Sequence, residues 1–249
     1  MFRWLQDLLQ GSANGDLSSL QVDLHSHLIP GIDDGVQSVD EAVQLIRELR
    51  EKGIRKIITT PHIMSEGFNN TPEGIRNGLL KVKNELIAQK IDVSFEAAAE
   101  YYLDDNFEQR MQNGELLTLN GKYLMFEMSY MNKAPNLDEV LFQLNSNGFK
   151  PIMAHPERYS YYHNTDLQSY RDLRDKGVYL QLNMGSIIGA YSPEIRRVAR
   201  QMLKERLVDF LGTDLHNERQ LDMINKCLRD NFFIKTLNEY PFQNKELLQ

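Results

Sequence analysis

The run Asp23-Leu24-His25-Ser26-His27 sets two imidazoles two residues apart, behind the apolar Val22 and Leu24. On a strand, residues two apart share a face, so His25 and His27 project side by side, as two ligands of one metal ion must. Asp33 and Asp34 follow on a loop closed by Gly35, near enough to add a carboxylate. Of the six histidines, five (His25, His27, His62, His155 and His216) follow a short apolar run, and only His163 does not. Glu100 and Glu127 end two further runs of the same kind. Imidazole mixed with carboxylate suits manganese, iron or zinc better than calcium or magnesium, and a single ion takes only three or four ligands. So large a set suggests two or three ions doing hydrolysis. Arg158, three residues after His155, adds a cation whose planar fork matches phosphate oxygens, which points to a phosphate ester.

The elements that must position these residues alternate. Strands are expected over 22–25, 56–60, 93–97, 123–127, 151–154, 178–183 and 208–212, with helices between them. Ser38 with Glu41 reads as a capping box, Thr71-Pro72 and Ser192-Pro193 as helix starts, and Gly53, Gly148 and Gly177 as stops. Such alternation predicts one α/β domain with a parallel sheet. Every candidate ligand falls at the C-terminal end of a strand, where barrel active sites lie. A closed seven-stranded barrel explains that spread, whereas an open doubly wound sheet would concentrate a site at one switch point. Closure also makes the first and last strands neighbours, so that Asp214, in Asp214-Leu215-His216, can share an ion with His25 and His27. The domain is expected over 21–249, and 1–20 is read as an extension: an amphipathic helix (Phe2, Leu5, Leu8, Leu9) that packs on the body, then a polar linker over 11–19.

Composition narrows the function. The net charge of −7 argues against a nucleic-acid binder. Cys227, the single cysteine, excludes an intramolecular disulfide, reads as a half-buried structural thiol, and is not followed five residues later by an arginine, so no cysteine phosphatase loop exists. No apolar run approaches the roughly 20 residues that span a bilayer, and the start is too short for a signal peptide, which leaves a cytoplasmic address as the expectation.

The motifs Asp-Leu-His-Ser-His at 23–27, Asp-Asp-Gly at 33–35, Thr-Pro-His at 60–62, His-Pro-Glu-Arg at 155–158 and Asp-Leu-His-Asn at 214–217, with Glu100 and Glu127, resemble the polymerase-and-histidinol-phosphatase (PHP) superfamily. More closely, the chain resembles the bacterial tyrosine-protein phosphatases encoded with capsule and exopolysaccharide machinery, from Val22 to about Leu228. The resemblance implies a distorted (β/α)7 TIM-like barrel with three divalent ions, manganese foremost and iron, zinc or magnesium as alternatives. His25, His27, Glu100 and Asp214 would hold the first; Glu100, Glu127 and His155 the second; Asp34, His62 and His216 the third. Arg158 would bind the phosphate, and Arg158, Glu100 and His62 are the candidate catalytic residues. A second phosphate-binding arginine is implied after the last histidine; Arg219 is nearest, at a shorter spacing. Asp23 and Glu157 are expected to support rather than ligate; His163 reads as a loop residue, and Tyr159, Tyr161 and Tyr162 beside it are only candidates for the rim.

The leading expectation is a metal-dependent protein-tyrosine phosphatase that uses metal-bound hydroxide directly on the phosphotyrosine tail of a bacterial tyrosine autokinase. The alternatives are a small-metabolite phosphatase of the histidinol-phosphate type and a non-catalytic scaffold braced by metals; the full ligand set and Arg158 speak against the scaffold. A homo-oligomer is left open.

Overall fold

The computed structural model describes residues 15–114, 116–163 and 166–248. The expected helix at the start of the chain lies outside them. Parallel strands run in the order β1 (Val22–Asp23), β2 (Lys56–Thr59), β4 (Ser94–Ala97), and in a second sheet β3 (His62–Ile63), β5 (Glu100–Tyr102), β6 (Tyr123–Glu127), β7 (Lys150–Ala154), β8 (Tyr179–Asn183), β9 (Phe210–Gly212). The two sheets are one barrel wall. β3 continues β2 after a break at Thr60-Pro61, and β5 continues β4 after a break at Ala98-Ala99. The backbone bridges the breaks: Thr60 N–H donates to Ser26 O (2.7 Å), Ala98 N–H to Thr59 O (2.9 Å) and Glu100 N–H to Pro61 O (3.1 Å). The expected seven strands are therefore present, two of them interrupted.

The seam between β1 and β9 is stitched mostly by side chains. At its lower end the Asn244 amide donates to Val22 O and Leu211 O and accepts from Leu211 N–H. Midway, Asp23 accepts from Thr213 N–H and its hydroxyl. At the top, Asp214 N–H donates to His25 O and His27 N–H to Leu215 O, each at 2.8 Å. The fold is thus a distorted seven-stranded α/β barrel of TIM type.

Helices α1 (Val39–Glu51), α2 (Pro72–Ala88), α3 (Phe107–Gln112), α4 (Leu137–Ser146), α5 (Gln168–Asp175), α6 (Met184–Ile188), α7 (Pro193–Lys204), α8 (Glu218–Cys227) and α9 (Asn231–Glu239) cover the outside. Ser38, Thr71 and Ser192 cap α1, α2 and α7 as their sequences predict. Glu41 reaches the N–H of Gln37 at 2.8 Å rather than that of Ser38, so the reciprocal half of the capping box is displaced by one residue. The barrel interior is filled by Val22, Leu24, Ile58, Met125, Ile152 and Phe210, and Leu247 of the C-terminal turn plugs its lower end. The tail, without an assignment in the sequence reading, thus forms α9 and the plug. Nor do residues 15–19 behave as a free linker: Leu17 is buried and its N–H binds Lys52 O.

Candidate metal centre and phosphate site

At the C-terminal ends of the strands, nine side chains converge: His25, His27, Asp34, His62, Glu100, Glu127, His155, Asp214 and His216. Glu100 is the hub. Its Oε2 lies 3.2 Å from His25 Nε2, 3.4 Å from His27 Nε2 and 3.3 Å from His62 Nδ1, and its Oε1 lies 3.1 Å from His155 Nε2. Asp214 Oδ1 faces His25 and His27 at 3.4 and 3.6 Å. Asp34 Oδ1 faces His62 and His216 at 3.5 and 3.4 Å. Four groups have ligand atoms within 4.8 Å of one another: His27-Asp34-His62-His216, His25-His27-Glu100, His25-His155-Asp214 and His62-Glu100-Glu127. They overlap the three sets that the resemblance implies without reproducing them, because His62 faces Glu127 through Nδ1 (3.2 Å) as well as Asp34 through Nε2.

The local backbone aims these groups. His62 and Glu100 each begin a strand where a break ends. His155 and Asp214 instead sit in left-handed backbone, at φ +36° and +54°. Two glycines permit the approach: a Cβ on Gly35 would meet His27 O at 2.1 Å, and one on Gly212 would meet the Gln181 amide nitrogen at 2.5 Å.

Three imidazoles have their outer nitrogen held. His25 Nδ1 pairs with Gln181 Oε1 (2.7 Å), His27 Nδ1 with Asp33 Oδ2 (2.8 Å) and His216 Nδ1 with Asp214 O (2.8 Å). Such bonds leave Nε2 facing inward as a bare lone pair, the arrangement of metal-bound histidine. His25 Nε2, His27 Nε2, His62 Nδ1 and Glu100 Oε2 are buried and find no hydrogen-bond partner. Buried polar atoms without partners cost about 1–3 kcal/mol each, so this cluster calls for a shared electrophile. The electrostatics agree. Burial disfavours charge on His25 and His62, yet Glu100 and its neighbouring carboxylates outweigh it and lift both to about 10. Asp34 is drawn down to about 2, chiefly by its bond to His216. Burial opposes ionisation of Glu100 and Asp214 as well, but the histidines prevail and hold both well below the usual carboxylate range. The donor set therefore fits divalent cations.

Beside it is a cavity of about 380 Å³. Arg158 enters it between two rings, 4.9 Å from the Tyr130 centroid and 4.5 Å from that of Tyr191. One Nη1 bond to Asp214 Oδ2 (3.0 Å) anchors the guanidinium, and among the described residues its other edge has no hydrogen-bond acceptor. Asn183 Nδ2 donates to the same Asp214 oxygen at 3.0 Å, which leaves Oδ1 for the imidazoles. Phe68, stacked on His62 at 5.5 Å, forms another wall.

A family model described as "Capsular polysaccharide synthesis, CpsB/CapC" matches residues 21–238. The chain belongs to this family. It is 27% identical to the tyrosine-protein phosphatase YwqE of Bacillus subtilis over 197 residues, 79% of this chain and 77% of that one. It is 29% identical to the tyrosine-protein phosphatase CpsB of Streptococcus pneumoniae over 204 residues, 79% and 83% of the two chains. The fold matches a structure from a crystallographic study of YwqE and CpsB, described there as metal-dependent tyrosine phosphatases, with TM-score 0.76 and 24% identity over 91% of this chain and 94% of the other. A phosphotriesterase homology protein of Escherichia coli with phosphate in its active site shares the fold at TM-score 0.54 and 14% identity, over 92% and 96%.

Within this CpsB/CapC barrel, several readings change. Arg219 is exposed on the first turn of α8 and does not reach the cavity; Asn217 and Gln220 line that side. Tyr159 and Tyr162 are buried, and the Tyr161 hydroxyl donates to Ser129 O, so this run braces the wall. The aromatic rim is formed by Tyr130, Tyr191 and Phe68. Cys227 is fully buried rather than half-buried. Asp33 bonds His27, Gly35 N–H and His62 N–H, which separates its supporting place from that of Asp34. Glu157 accepts from Asn183 N–H and Ser186 Oγ, also outside the cluster. Gln181 and Asn183 went unremarked in the sequence, although they show the same two-residue spacing on a buried strand as His25 and His27.

Proposed function

We propose that this chain is a metal-dependent protein-tyrosine phosphatase whose substrate is a phosphotyrosine tail of a bacterial tyrosine kinase of polysaccharide synthesis, and that it works in the cytoplasm. The catalytic unit is 21–249, with 1–20 as an extension. His25, His27, Asp34, His62, Glu100, Glu127, His155, Asp214 and His216 hold three divalent ions, manganese foremost. The observation that carries the reading is the set of buried, inward-facing and partnerless lone pairs beside a guanidinium with one edge free. Bound divalent ions supply an activated water and neutralise phosphoryl oxygens.

The chain's own residues do the rest. Asp214 and the two tyrosine rings hold the Arg158 fork in place, so its free edge can meet two phosphate oxygens. Glu100 ties two ligand groups together. The histidines and carboxylates that line the cavity all belong to the ligand set. Tyr130 and Tyr191, whose rings flank Arg158, are phenols, which are weak acids at neutral pH. The leaving group must therefore depart with little protonation. A phenolate, with a conjugate acid of pKa about 10, can do so, whereas a serine alkoxide is far more basic. The aromatic rim offers the phenyl ring apolar contact. The test compares matched phosphotyrosine and phosphoserine peptides, and histidinol phosphate, with manganese present. Catalytic efficiency is expected to be highest on phosphotyrosine, and equal or better turnover of either competitor would overturn the reading.

A further inference from the structure

Away from the mouth, α7 and α9 leave a groove of about 770 Å³ between them. Its floor is apolar: Leu203 is buried, Tyr240 half-buried and Phe232 39% exposed. Its wall is basic. Arg200 lies over the Phe232 ring at 4.0 Å and Arg206 over that of Tyr240 at 5.1 Å, with Lys204 exposed on the same groove. Among the described residues, none of these three cations has a carboxylate partner, whereas Arg197 and Lys235 are paired with Glu194 and Glu239. Burial and the charge of Arg196 disfavour the Arg200 cation, and the nearby Asp230 offsets them only in part. Such a wall is exceptional for a chain of net charge −7: residues 196–206 carry five cations and only Glu205 as an acid.

Helix α7 runs from beside the catalytic cavity to the groove. Tyr191 lines that cavity, and α7 begins two residues later. At about 1.5 Å per helical residue, Arg200 and Lys204 are about 14 and 20 Å further along. An extended segment advances about 3.3 Å per residue, so it covers that span in about four to six residues.

We infer that the groove between α7 and α9 docks an acidic, aromatic-bearing stretch of the phosphoprotein substrate, about four to six residues from the phosphotyrosine. The inference rests on the phosphotyrosine reading and adds how the protein around that residue is held. Carboxylates of the segment meet Arg200, Lys204 and Arg206, and a ring or aliphatic chain covers the floor. A flat anionic membrane would meet the cations but leave the concave floor unfilled, which favours a peptide.

The full-length protein, with manganese, is assayed on three peptides: a phosphotyrosine pentapeptide, the same peptide with Glu-Glu-Phe-Glu-Glu placed four to six residues away on either side, and a version with a Ser/Ala extension. Exposed ion pairs contribute about 0.2–1 kcal/mol each, so two or three of them should lower KM about tenfold for the acidic peptide. kcat should not change, and the advantage should shrink in high salt. The double variant Arg200→Glu/Lys204→Glu should erase the tenfold and leave the pentapeptide unaffected. Phe232→Ala should reduce the advantage without any charge change, which covers the case of a misfolded double variant. Equal KM for acidic and neutral extensions overturns the inference. So does a double variant that loses only co-sedimentation with phosphatidylglycerol vesicles. If no peptide is hydrolysed, the phosphotyrosine reading fails. Docking is then read separately, by polarisation of the fluorescein-labelled, unphosphorylated acidic peptide, which should bind the wild type and not the double variant.

Discussion

The two halves of the barrel mouth present their clustered side chains by different backbone devices. On the first half the strand breaks and resumes, so that His62 and Glu100 begin β3 and β5 in extended backbone. On the second half the strands run through, and His155 and Asp214 follow β7 and β9 in left-handed backbone. A break loses ladder bonds, but here the bonds from Thr60, Ala98 and Glu100 replace them. A left-handed non-glycine residue costs about 1–3 kcal/mol and persists only when its surroundings enforce it. At Asp214 the enforcement is visible: its N–H binds His25 O, and its Oδ2 takes both Arg158 and Asn183. The first half thus places its clustered side chains on extended backbone, whereas the second places two of them on left-handed backbone.

The largest expected effect is on the unstrained side. Glu100→Gln keeps the shape of the hub and its relaxed backbone but removes the charge that faces four imidazoles. Loss of a supporting contact to a metal ligand typically costs about 10–100-fold, and a shared ligand should cost at least about 100-fold in kcat. The melting temperature in chelator should fall as well, because the Glu100 charge that the imidazoles share stabilises the metal-free barrel. Normal turnover together with normal metal content would remove Glu100 from its central place.

Asp214 tests the strained side. Asparagine tolerates left-handed backbone, so Asp214→Asn should fold well and lose about 10–100-fold in activity. Asp214→Ala should be less stable than Asp214→Asn by a further 1 kcal/mol or so, because alanine lacks that tolerance. The corresponding pair at Glu100, in extended backbone, should show no such conformational penalty. Denaturant midpoints of the four variants measure it, and an equal gap between the alanine and amide variants (Gln at 100, Asn at 214) would break the contrast.

The pH dependence of the chelated protein follows from the same charges. His25 and His62 are raised to about 10, against about 6.5 unfolded. Their contribution is fully present below pH of about 6.5 and is lost as pH rises through about 10. Glu100 and Asp214 are depressed, so their contribution is present above the ordinary carboxylate range and is lost as pH falls through it. Melting temperature in chelator should therefore decline from pH 7 to 10, and added manganese should remove the decline. A flat profile in chelator would show that the halves are not held together by these charges.

Asp34, on a loop beside Asp33, is singled out only by the family motif, whereas the seven strands and the other eight of the nine clustered side chains were legible because each lies at or near the end of an apolar run. The strand breaks at Thr60-Pro61 and Ala98-Ala99 were not, since the sequence reads through them as one strand end and its loop. Nor was the left-handed backbone at His155 and Asp214, a conformation that His and Asp adopt more readily than most residues but that nothing in the neighbouring sequence marks. The residues of the aromatic rim were not legible either. The Tyr159–Tyr162 run stands out in sequence, but composition says nothing of direction, and the isolated Tyr130 and Tyr191 reach the cavity instead.

Two arginines carry a smaller effect. Arg158→Lys keeps charge against Asp214 but loses the fork and the flat stack between the rings, so kcat/KM on phosphotyrosine should fall about tenfold. Arg219→Ala, at an exposed position, should leave it within twofold or so. Comparable losses at both would return Arg219 to the site.

The smallest effect concerns Cys227, on α8, the helix that follows the strained Asp214. Its Sγ is 3.6 Å from Met184 O and 3.8 Å from Met223 Sδ, and burial pushes the thiol up to about 12. A nucleophilic cysteine needs a lowered pKa and access to substrate, and Cys227 has neither. Cys227→Ala should leave kcat and KM unchanged and cost about 1 kcal/mol of stability, the typical loss for a small buried truncation. Alkylating agents should likewise spare activity under native conditions, whereas chelators abolish it. A folded Cys227→Ala protein without turnover would mean that the nucleophile is a thiol, and the two-sided ligand ring at the mouth would then no longer account for catalysis.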